Sequence, residues 1–175
     1  MGMTLKEQGR MSIALLALIG GGLLLRLFLV YVSSRWHGFS GDVYAYAGWT
    51  RGLIEVGPRD FYETFGSDYP PGYLYVLWIL GKVDQAVAYL AHADLMRVIV
   101  GSIKIPPILL DAGVGLMIYS IVRRWFADGI SSEKTALAAA AIYTFNPVVC
   151  YDSAIWGQTD SVGIFAVEPT MAGIE

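Results

Sequence analysis

The chain has 175 residues, of which 55% are hydrophobic and only 15% charged, with a formal net charge of −3 and a mean hydropathy of +0.53. An ordinary soluble domain carries about 25% charged residues, so that class is excluded, and so small a negative charge offers no basic field for nucleic acid. Cys150 is the sole cysteine, which rules out an intramolecular disulfide and a thiolate metal site. These bounds leave an all-α, polytopic integral membrane protein of three to four transmembrane helices, with interfacial helices in a first outer loop and the lipid bilayer as its partner.

Residues 1–10 contain Lys6 and Arg10, and residues 11–32, "MSIALLALIGGGLLLRLFLVYV", follow with Arg26 as the one charge. That run is long enough to cross a hydrocarbon core of ~30 Å. No small-x-small cleavage site follows, so it reads as a retained anchor rather than a signal peptide. Its triple glycine, Gly20 to Gly22, permits close helix packing. Arg26 is balanced between an ion pair to another helix and contact with a lipid-linked phosphate.

Residues 33–95 read as an outer loop. Within it "DVYAYAGWTRGLIEVG" predicts a short helix with Asp42 at its N-cap or in its first turn. The apolar stretch "PGYLYVLWILGKV" is interrupted by Lys82, Asp84 and Gln85 and reads as an interfacial helix, with a full crossing to Ala91 as the alternative. Residues 96–122 form the next span despite Lys104 and Asp111, which lie seven apart on one helical face. They either pair through a kink at Pro106–Pro107 or bring one charge to a lipid phosphate. Residues 123–134 are a short basic loop and 135–149 a shorter alanine-rich span. Residues 150–161 return to the outer face, and 162–175 form a tail.

Lys6 and Arg10 place the N-terminus in the cytoplasm. An interfacial 71–91 segment then puts Arg123, Arg124 and Lys134 on the cytoplasmic side as well, and brings 33–70 and 150–161 to the same outer face. The chain is thus a single membrane domain.

Three polar stretches stand out. Asp42, in "FSGDVYAYAGW", has two readings: a general base flanked by rings that stack on a sugar, or a helix cap. In "SDYPPGYLY" the prolines force an extended entry that fixes where Asp68 and Tyr69 point, or simply make a turn. The third is "CYDSAIWGQTDS", a polar knot closing an apolar run. His37 and His92 lack metal-ligand spacing, so no metal residue is assigned.

In their order, "GDVYAYAGW", "DYPPGYLY" and "FNPVVCYDSAIWGQTDS" resemble the N-terminal part of the membrane-integral glycosyltransferases of the GT-C superfamily. The sequence is most similar to bacterial mannosyltransferases akin to the second mannosyltransferase of GPI-anchor synthesis. The resemblance implies a polyprenyl-phosphate-linked sugar donor and inverting transfer to an acceptor hydroxyl outside the cytoplasm, with Asp42 as general base. It also implies that Tyr69, Pro70 and Pro71 shape the interfacial helix, with Tyr69 a substrate-binding residue, and that Trp156, Gln158 and Asp160 line a sugar-facing cavity. It assigns no cofactor and leaves a divalent metal open. Members of that superfamily are far longer, and Glu168 and Pro169 stand where a further span is expected. The chain therefore reads as a truncated glycosyltransferase; the alternative is an inactive shortened relative that serves as a structural subunit beside other membrane subunits.

Overall fold

A long apolar run without proline has little choice but to satisfy its backbone within one helix, and the first element does so over Leu5–Ser33 (α1). The computed structural model describes residues 5–33, 40–67, 69, 71–126 and 130–158. All regular elements among them are helical. Helix α2 covers Ser40–Thr64 and is broken internally at Gly57, where φ is 80° and ψ 166°, and Pro58. Helix α3 is Pro71–Ala91. Helix α4, Leu95–Ser102, starts at Asp94, whose side chain accepts the Arg97 N–H. Helix α5 follows over Ile105–Trp125 and α6 over Ile130–Thr144. Asn146 then caps a short helix, α7 (Pro147–Cys150), by accepting the Val148 N–H at 2.9 Å. It passes directly into a π-helical segment, Tyr151–Trp156.

Three helical stretches are long and apolar enough to cross a membrane: Gly9–Ser33, Pro71–Ala91 and Leu95–Trp125. The protein is therefore an all-α integral membrane protein. Three details differ from the sequence expectation. First, Lys82, Asp84 and Gln85 do not interrupt 71–91, because each charge has a place to go. Asp84 is buried and accepts the Ser102 hydroxyl at 2.7 Å, while the exposed Lys82 reaches the Ile54 carbonyl at 3.5 Å. Second, the alanine-rich helix stops at Thr144 rather than 149, since Asn146 and Pro147 start a new helix there. Third, the break near the double proline falls before it, at Ile103–Lys104. Pro106 and Pro107 sit in the first turn of α5, where a missing N–H is cheap.

Helices α2, α3 and α4 pack on one another around Tyr46, Leu53, Phe61, Leu77 and Ile99. A second group joins α1, α5, α6 and the π-helical segment. Its directions follow from its contacts. Arg26 of α1 meets Asp111 of α5, and Ser33 meets Lys104, so α1 and α5 are antiparallel. Tyr119 and Tyr143 of the α5–α6 pair reach Glu133 and Asp111 respectively, so these two are antiparallel as well. Of the four glycines in α1, Gly22 makes the close approach: a Cβ there would sit 2.3 Å from Thr144 Cγ2.

Arg26 occupies the middle of this group and is 2% exposed. Its Nε donates to Asp111 Oδ2 at 3.0 Å and to Ser153 Oγ at 3.3 Å. Its Nη1 donates to the Thr144 carbonyl at 2.9 Å and to the Gly22 carbonyl at 3.3 Å. Removing one member of a buried pair strands the other, at a cost of about 3–5 kcal/mol. Arg26→Leu is therefore expected to lower thermal stability in detergent by about that amount, and Arg26→Leu/Asp111→Leu to recover most of it. A double variant as unstable as the sum of the two singles would contradict this account.

Candidate functional site

Asp42 lies in the first turn of α2, where a negative charge complements the helix dipole. Its carboxylate is half-buried and faces the end of the π-helical segment. Trp156, 114 positions later, donates its indole Nε1–H to Asp42 Oδ2 at 2.6 Å. Gln158 donates its Nε2–H to the same oxygen at 2.8 Å. The two donors reach one atom because Gly157 turns the chain between them. Gly157 adopts φ 84° and ψ 25°, a left-handed conformation cheap only for glycine, and donates its N–H to the Asp152 carbonyl at 2.8 Å.

Gln158 also accepts a hydrogen bond, from the Tyr46 hydroxyl to its Oε1 at 3.2 Å. Tyr46 Oη and Tyr69 Oη lie 2.6 Å apart. Each hydroxyl has one proton. With the Tyr46 proton given to Gln158, Tyr69 must donate to Tyr46, and every bond in the chain Tyr69, Tyr46, Gln158, Asp42 points toward the carboxylate. Around Tyr46 stand three more rings: Trp49 at 5.6 Å, Tyr69 at 5.4 Å and Tyr73 at 5.7 Å between centroids. The Tyr69 and Tyr73 contacts are edge-on, as ring quadrupoles prefer. Tyr46 and Tyr73 are buried, so these two rings build the wall of the site rather than an open platform. Trp156 and Tyr69 are half-buried.

Lys104 supports the site from beneath. Its Nζ donates to the Ile155 carbonyl at 2.8 Å and the Ala154 carbonyl at 3.0 Å. Those carbonyls close the π-helical segment, where a cation is favoured. Its aliphatic chain lies against Gly157.

The structure thus joins Asp42, Trp156 and Gln158 directly, and Tyr69 through Tyr46. Asp160 lies outside the described residues, as do Asp68, Pro70 and His37. Lys104 and Asp111 share a face of α5 but do not pair. Lys104 is drawn to the carbonyls of the π-helical segment, and two turns on Asp111 meets Arg26. Tyr46 is the residue the sequence reading passed over. Its position four after Asp42 on one helix was a usable signal, since residues so spaced share a face. Ser153, which accepts from Arg26, and Tyr143, which donates to Asp111 at 3.2 Å, carry no comparable signal. Among the described residues no group of three His, Cys, Asp or Glu side chains is placed to hold a metal ion.

Fold and site together define a helical integral membrane protein with a carboxylate-centred polar site where α1 ends and α2 begins. Compared with known proteins, the chain matches no family model, no curated protein and no solved structure.

The Tyr46 hydroxyl is pushed well above its ordinary range, first by burial and then by its bond to Tyr69 and the nearby Asp42 charge. A raised value favours the protonated form in the folded state. The stability it gives is complete below the ordinary tyrosine value of about 10 and is lost as pH rises beyond it. In a tyrosinate absorbance titration of the folded protein, the wild type minus Tyr46→Phe difference is therefore expected to show no ionisation step near pH 10. A full one-tyrosine step there would refute the buried, donating hydroxyl.

Proposed function

We propose that this chain is the N-terminal part of a membrane glycosyltransferase of the GT-C type, with Asp42 as general base. The observation that carries the reading is the convergence of Asp42, Trp156 and Gln158 on one oxygen across 114 and 116 positions of sequence. These are the residues that the family resemblance singles out. In this reading the acceptor hydroxyl gives its proton to the Asp42 carboxylate as its oxygen attacks the anomeric carbon. The bond to the lipid phosphate breaks on the opposite face. The departing phosphate is already anionic and calls for a cation rather than an acid, and Lys104, directly beneath Gly157, supplies one. Trp156 offers a half-buried ring for a sugar, and Asp160 a further hydroxyl contact. The donor is a polyprenyl-phosphate-linked hexose, with mannose as the first sugar to try. Lys6 and Arg10 favour a cytoplasmic N-terminus, which puts Asp42 on the outer face of a bacterial cytoplasmic membrane.

One observation favours a second reading. Two donors already occupy Asp42 Oδ2, as they would in a purely structural tie between α2 and the π-helical segment within a small membrane subunit. Asp42→Asn separates the two, because an amide oxygen still accepts both bonds. Transfer of labelled hexose from a polyprenyl-phosphate donor to a glycoside acceptor is measured in proteoliposomes. Wild-type transfer that falls about 10²–10⁴-fold in Asp42→Asn, at an unchanged melting temperature, is the expected outcome. Transfer unaffected by the substitution removes Asp42 from the chemistry. Absence of transfer in the wild type leaves the structural tie as the better reading.

A further inference from the structure

The far end of α5 has a polar cavity that the site around Asp42 does not use. It measures about 430 Å³ and is lined by Tyr119, Ser120, Arg123 and Arg124. In a chain of net charge −3 two adjacent arginines are a local exception to the prevailing sign. One of them is braced from behind. The buried Glu133 pairs with Arg123 Nε and accepts the Tyr119 hydroxyl, and Ser132 Oγ donates to the Arg123 carbonyl at 3.3 Å. Glu133 therefore sets the wall and neutralises part of the Arg123 charge. Arg124 is exposed and forms no ion pair among the described residues. Next to it Trp125 is 82% exposed and Phe126 is exposed as well.

Depth decides what such a cavity meets. Arg124 lies 20 residues beyond Lys104, which is roughly 30 Å along a helix axis. That matches the thickness of a hydrocarbon core. With the Lys104 end at one membrane surface, Arg123 and Arg124 arrive among the headgroups of the opposite surface. An exposed Trp suits that level, where its ring is half in lipid and half wet. The guanidinium fork matches phosphate oxygens in a bidentate manner, and Tyr119 and Ser120 add hydroxyls beside it.

We propose that this cavity binds the phosphodiester of an anionic phospholipid, on the membrane face opposite Asp42. Arg124 holds the phosphate oxygens, Arg123 contributes its outward guanidinium nitrogens, and Trp125 anchors the helix end beside the bound headgroup. The assignment is independent of any sugar transfer.

Native mass spectrometry of the whole chain, released from micelles containing phosphatidylglycerol or phosphatidylcholine, tests it. The wild type is expected to retain phosphatidylglycerol in preference. Each arginine near a membrane surface is worth about five-fold, so Arg124→Gln should lose about five-fold of that preference and Arg123→Gln/Arg124→Gln roughly 25-fold. Arg51→Gln, at an exposed arginine paired with Glu55 on α2, should change nothing. Arg123→Gln strands Glu133 and risks misfolding. The single Arg124→Gln variant, with helical content checked by circular dichroism, keeps the test decisive. A wild type without preference, or an Arg124→Gln variant with the full preference, overturns the proposal. Displacement of the lipid by millimolar glycerol phosphate would also overturn it, in favour of a site for a soluble phosphate.

Discussion

A guanidinium buried between helices dictates its surroundings, because losing its counter-charge costs about 3–5 kcal/mol. Arg26 takes its partners from Asp111 on α5, from the carbonyl that ends α6, from Ser153 in the π-helical segment and from its own helix. Four segments are thereby held to one point. Sliding α1 by a turn past either neighbour would break the pair, and Gly22 lets the helix lie close against Thr144, where any side chain would collide. Tyr143 completes the arrangement by donating to the other oxygen of Asp111.

The site inherits its shape from this buried charge. Non-helical backbone at membrane depth is tolerated only where protein satisfies its polar groups. After Thr144 the chain leaves helical form twice, at Asn146 and at Gly157. Along that path Arg26 receives the Thr144 carbonyl and Lys104 receives those of Ala154 and Ile155. Two cations that looked out of place within apolar spans are thus what allows the polar stretch "CYDSAIWGQ" to exist. Their reach sets where Trp156 and Gln158 meet Asp42.

Helices α1 and α5 were legible in the sequence because hydropathy alone specifies them. The partners of their charges were not. A spacing of seven correctly put Lys104 and Asp111 on one face of α5, but which neighbour each faces depends on cross-helix register, which no local pattern encodes. The continuity of residues 71–91 as one helix was hidden for a related reason. A run of hydropathy penalises Asp84 as if it faced lipid, whereas Ser102 shields it. The polar triad was legible in part: Asp42 stood out with helix capping as its rival reading, and the family resemblance marked Trp156 and Gln158. Their common meeting atom, and the tyrosine that orients Gln158, required three-dimensional proximity.

The two oxygens of a free aspartate are interchangeable, and those of Asp42 are not. Donors from Trp156 and Gln158 draw negative charge onto Oδ2 and leave no room there for a hydrogen. A proton taken up by this carboxylate has to settle on Oδ1. The hydrogen-bond chain from Tyr69 thereby gives a symmetric group a handedness.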